Sequence, residues 1–164
     1  MGYVGTHVDS RYGPLGLFQG DYQGSSWRDG EPNTPLFAFG FGLSFGVDQF
    51  KFSSGNLTSP LSAKSFEVKI ALSAEALHMS DPGGTVVQLY FSQTLAQAVR
   101  PRLMLLAFTK VQRGTTEVTL TVPTSDLGYW HPLSKRTSVD AGTYTLSVGT
   151  SSATLHDTTT LTIQ

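Results

Sequence analysis

From residue 48 onward this chain is a series of short runs in which every second residue is apolar, each run ending at glycine, proline or a polar turn. Residues 65–73 (SFEVKIALS) show the pattern most plainly. Phe66, Val68, Ile70 and Leu72 fall on one face of an extended chain, Glu67 and Lys69 on the other. That is the signature of a half-buried antiparallel strand. No stretch sustains the 3.6-residue period that a helix needs to bury one face. The only helical candidate is a short turn near residues 73–79.

The remaining runs follow the same rule. Residues 49–53 carry Phe50 and Phe52, and Gly55 with Asn56 signals a turn after them. Asp81, Pro82, Gly83 and Gly84 break the chain before 85–92 (TVVQLYFS), where Val87, Leu89 and Phe91 point opposite to Val86, Gln88 and Tyr90. Runs at 103–111, 117–122, 143–149 and 154–163 complete the set. In these, Val118, Leu120 and Val122 share an inward face, as do Tyr144, Leu146 and Val148. Residues 124–136 read as irregular. About seven short strands, rich in Thr and Val and separated by Gly/Pro turns, predict an all-β antiparallel sandwich of two sheets.

Residues 35–45 (PLFAFGFGLSF) concentrate the largest apolar load. If extended, the segment puts Phe37, Phe39, Phe41, Leu43 and Phe45 on one face and leaves nearly bare backbone at Gly40 and Gly42 on the other. An ordinary core strand and a surface that packs on another body both fit this pattern. Residues 2–34 are rich in Gly, Tyr, Ser, Asp and Pro and have no clear period, which reads as an extended approach segment. Tyr12, Phe18, Tyr22 and Trp27 make that segment apolar enough to lie against a surface. A boundary falls near residues 32–35.

Composition narrows the function classes. The chain has 164 residues, 39% hydrophobic and 14% charged, with a net charge of -1, which suits one globular domain with an added segment. So even a charge balance gives no electrostatic case for nucleic acid or an anionic membrane. With no cysteine there is no disulfide, thiolate chemistry or Cys-type zinc site. No apolar run reaches membrane-spanning length, and residues 1–13 lack the charged and apolar regions of a secretory signal. His7, His78, His131 and His156 are scattered, without metal-ligand spacing. No cofactor is expected.

General acid/base chemistry by paired carboxylates needs two of them facing the same bond. The candidates Asp21, Asp29, Glu31, Asp81, Asp126 and Asp140 all sit in turn or loop contexts that favour Asp anyway. There is no nucleophile elbow and no phosphate-cradling loop. Asn56, Leu57 and Thr58 form a glycosylation sequon.

In family order, five segments resemble the glycoside hydrolase family 3 enzymes (β-glucosidases, β-xylosidases and relatives). Residues 35–45 resemble the P-L-F/Y-P-F-G-Y-G-L-S-Y signature that leads into the family's C-terminal domain, and 84–92 (GTVVQLYFS) the strand G-x-E-V-V-Q-L-Y-V-S. Residues 100–111 (RPRLMLLAFTKV) resemble R-P-x-K-x-L-K-G-F-x-K-V, residues 126–128 fall where the family has D-L-x-x-x-D, and 141–152 (AGTYTLSVGTSS) resemble P-G-x-Y-x-V-x-V-G-x-S-S. Departures are local: Ala38 and Ala141 replace prolines, Ala107 replaces glycine, and Leu105 or Leu106 stands near the usual lysine.

The resemblance implies a fibronectin type III-like (immunoglobulin-like) sandwich over 35–164, with 1–34 approaching it from a catalytic domain absent from this chain. It implies a non-catalytic C-terminal module that packs on and stabilises the catalytic domains of a parent hydrolysing O-glycosyl bonds in carbohydrate metabolism. The nucleophile and acid/base lie upstream in the family, so no catalytic residue is assigned and this chain alone is expected to be inactive. Family members are often secreted or periplasmic. Phe37, Phe39, Gly40, Phe41, Gly42, Leu43 and Arg28 are the expected interdomain contacts. Trp27 with Tyr22, and Trp130 with Tyr129, are the candidates for stacking on an oligo- or polysaccharide. A free-standing sandwich that binds carbohydrate or protein is the alternative.

Overall fold

The computed structural model describes residues 37–43, 49–73, 84–93, 103–112, 114–131 and 133–164. These residues form ten strands: β1 (Phe50–Phe52), β2 (Leu57–Ser59), β3 (Ser65–Leu72), β4 (Thr85–Ser92), β5 (Met104–Val111), β6 (Glu117–Pro123), β7 (Tyr129–His131), β8 (Arg136–Ser138), β9 (Gly142–Ser151) and β10 (Thr154–Ile163). A three-stranded sheet has the order β1-β3-β6, a five-stranded sheet the order β2-β10-β9-β4-β5, and β7 pairs with β8 alone.

The alternation read from the sequence sorts the side chains. From β3 and β6, Phe66, Val68, Ile70, Leu72, Leu120 and Val122 point inward; from the facing sheet come Val87, Leu89, Phe91, Tyr144, Leu146, Val148, Leu161 and Ile163. All belong to one buried cluster, so the two sheets pack face to face as a sandwich. Each such side chain contributes about 1.5–3 kcal/mol by leaving water. At one edge the sheets are also tied by polar bonds. The Phe50 N–H donates to His156 Nδ1 at 3.2 Å and the Phe52 N–H to Asp157 Oδ2 at 2.9 Å.

Three expectations need correction. Residues 37–43 are not a strand. The Phe41 N–H donates to the Ala38 carbonyl at 3.0 Å and Gly40 sits at φ 77°, so the chain reverses there and the phenylalanines do not share one extended face. Nor is the sandwich wholly antiparallel, because β2 runs parallel to β10. Finally, residues 124–136 contain a 3-10 turn (Thr124–Leu127), strand β7 and the start of β8, where an irregular loop was expected. Three-residue strands are too short for a period of two to show. Phe45 and the helical candidate beyond Ser73 lie outside the described residues.

Candidate functional site

The entry segment 37–43 is fastened to the outer face of the five-stranded sheet by side chains the sequence reading did not single out. In β4, Gln88 and Tyr90 point away from the core because their neighbours Val87, Leu89 and Phe91 point into it, yet both are buried. Gln88 Nε2 donates to the Gly40 carbonyl at 2.9 Å and to the Thr150 carbonyl at 2.6 Å. The Tyr90 hydroxyl donates to Gln88 Oε1 at 2.5 Å and lies 3.5 Å from the Phe39 carbonyl. The Ser152 N–H, from the turn between β9 and β10, donates to that same Phe39 carbonyl at 2.9 Å. Burial pushes the Tyr90 phenol up to about 12 from its usual 10, so it stays a donor.

Gly40 is required twice over. Its φ is one that only glycine adopts freely, and a Cβ there would collide with Gln88 Oε1 and sit 2.8 Å from the Tyr90 hydroxyl. A Cβ on Gly42 would meet nothing within 4 Å. The sequence signal for this clamp was a glutamine inside an otherwise apolar strand, since a polar residue buried there must find partners.

Fastening the turn leaves its apolar side chains outward. Phe37 is 52%, Phe41 49% and Leu43 92% exposed, while Phe39 and Ala38 are partly buried. The Phe37 and Phe41 rings pack on one another with centroids 5.0 Å apart. So the structure brings together Phe37, Phe39, Gly40, Phe41, Gly42 and Leu43, the expected packing residues, on a turn rather than a strand. Arg28, Trp27 and Tyr22 lie outside the described residues.

The aromatic pair of the β7–β8 hairpin is divided. Trp130 is 63% exposed and pairs across the hairpin with Thr137. Tyr129 is partly buried on the opposite face, its hydroxyl donating to Asp140 Oδ1 at 3.1 Å and its ring 6.0 Å from that of His131. Tyr129 is therefore held in the scaffold and does not stack beside Trp130.

Asp126 is exposed on the 3-10 turn, Asp140 accepts from Tyr129, and Asp157 accepts from the amides of Phe52 and Thr158. Asp21, Asp29, Glu31 and Asp81 lie outside the described residues. Among the described residues no group of three or more His, Asp or Glu is placed to hold a metal ion. Asn56 is exposed in the bend before β2.

Residues 85–152 match the family model "fibronectin type III-like domain". The chain is similar to a β-glucosidase of Kluyveromyces marxianus, 32% identical over 129 residues, covering 71% of this chain and 14% of that protein. It is also similar to a β-glucosidase of Rhizobium radiobacter, 32% identical over 154 residues, covering 91% of this chain and 18% of that protein. Among solved structures it resembles the β-glucosidase of Listeria innocua in complex with glucose. That match has a TM-score of 0.70 and 27% identity, covering 85% of this chain and 19% of that one. The chain thus spans less than a fifth of each of these relatives.

Proposed function

We propose that this chain is a fibronectin type III-like module, similar to the one in the C-terminal region of glycoside hydrolase family 3 β-glucosidases, and that it packs on, and stabilises, catalytic domains that precede it in one polypeptide. The observation that carries this reading is the entry turn. Its backbone is locked to the sheet by Gln88, Tyr90 and Ser152, while Phe37, Phe41 and Leu43 are held out in solvent. Rings fixed in place and left uncovered match the anchors of an interface, because little side-chain freedom remains to be lost on docking. On this reading 35–164 is the module and 1–34 the approach to it. The parent activity is hydrolysis of O-glycosyl bonds, of β-glucosidase or β-xylosidase type, and the chain alone is inactive.

The test compares the polypeptide that carries this module with the same polypeptide ended at residue 34. Removal of the module lowers the melting temperature of the remaining domains by several degrees and speeds their proteolysis; an unchanged melting curve overturns the reading. Trp130 favours a second reading, contact with a polysaccharide, since an exposed indole offers a flat apolar face to a sugar ring. Titration with soluble β-glucans would shift the Trp130 fluorescence, and Trp130→Ala would abolish the shift. No shift at any concentration removes this reading.

A further inference from the structure

The two outer faces of the sandwich differ in chemistry. On the three-stranded sheet the outward positions include Lys51 on β1, Glu67 and Lys69 on β3, and Glu117 on β6, a charged surface suited to water. On the five-stranded sheet, register assigns the outward positions. Gln88 pairs with Gly149 on one side and Phe108 on the other, and Gly149 pairs with Leu155, so one row across the sheet reads Leu155, Gly149, Gln88, Phe108. The next row reads Thr158, Ser147, Tyr90, Leu105. Val86 is paired with Lys110, the one charged group in these rows. Phe108 is 67% exposed, and Val86 and Leu155 are each 38% exposed. Gly40 sits on Gln88, so the entry turn crosses the middle of this face with Phe108 to one side and Leu155 to the other.

We infer that the outer face of the five-stranded sheet, centred on Phe108 and the entry turn, is the docking surface of the module, and that its occupant is an apolar surface of the domain preceding it in the same polypeptide. The inference rests on the packing reading above and extends it from the turn to a whole sheet face. Three observations favour that occupant. The face is continuous with the segment through which the chain enters the module. The relatives are more than five times as long as the stretch they share with this chain, which leaves room in such a polypeptide for a further domain. Depletion of charge with exposed aromatics is the composition of an interface centre, while the charged opposite sheet stays in water.

The experiment is carbene footprinting of the isolated 164-residue chain and of the native polypeptide that carries it, isolated from its source. Phe37, Phe41, Phe108 and Val86 label strongly in the isolated chain and severalfold less in the native polypeptide, whereas Lys51, Glu67 and Lys69 label equally in both. Protection of Phe37 and Phe41 without Phe108 and Val86 overturns this inference and leaves the packing reading standing. Protection of the Lys51 and Glu67 face instead also overturns it. If none of these residues is protected, or if the native polypeptide is this chain alone, both fail.

Discussion

Gln88 engages both amide protons and its carbonyl oxygen at once, with Gly40, Thr150 and Tyr90. Gln88→Leu leaves two carbonyls and a hydroxyl without those partners, and a buried group left unpaired costs about 1–3 kcal/mol. Urea unfolding should show a loss of that order, and hydrogen exchange should show the Ser152 and Phe41 amides opening faster while β3 and β9 keep their protection. An unchanged midpoint with unchanged exchange would rule the clamp out. Tyr90 adds a pH signature. Its folded value of about 12 lies above the usual 10, so the fold favours the neutral phenol. That preference contributes in full below pH 10 and is lost as pH rises from 10 through 12, because the unfolded chain gives up its proton first. The difference in stability between the wild type and Tyr90→Phe should therefore shrink or reverse across that window and stay flat from pH 7 to 9.

At the scale of strands, the long elements were readable because a run of eight or more residues, alternating as in β3 or apolar on both faces as in β4, stands out between its turns. β3 and β4 run as the hydrophobic pattern predicts, and β9 carries Tyr144, Leu146 and Val148 into the core as expected. Tyr144 also anchors the start of its strand: its hydroxyl donates to the Asp140 carbonyl at 2.7 Å, the arrangement of the tyrosine corner found in sandwiches of this type. Tyr144→Phe should cost about 1 kcal/mol in thermal or urea unfolding, and Leu146→Ala about 2–5 kcal/mol through the cavity it leaves. Equal effects of the two would mean that the corner bond, not packing, dominates there. What the sequence hid was tertiary. Alternation through 37–43 mimics a strand, but Gly40 serves a turn whose fit depends on Gln88, 48 residues away. β2 exists because β10 offers it an edge, a fact no three-residue run can announce.

For the whole molecule, asymmetry between the two sheet faces is the property that links fold to role. A module that buries its charged sheet would pay heavily in desolvation, whereas one that buries the Phe108 face removes apolar surface from water. The isolated chain, with that face open, should bind hydrophobic dye and self-associate with rising concentration. Phe108→Asp combined with Phe41→Ser should reduce both without lowering the unfolding free energy by more than about 1 kcal/mol. Monomeric behaviour and weak dye binding in the unaltered chain would count against an exposed docking face. The most direct measurement is the mass of the native polypeptide in its source, detected with an antibody raised against this chain. A band several times larger than 17.7 kDa is the predicted result, placing the module at the end of a larger hydrolase. A single band at 17.7 kDa would contradict the account, because no preceding domain would exist for this face to meet.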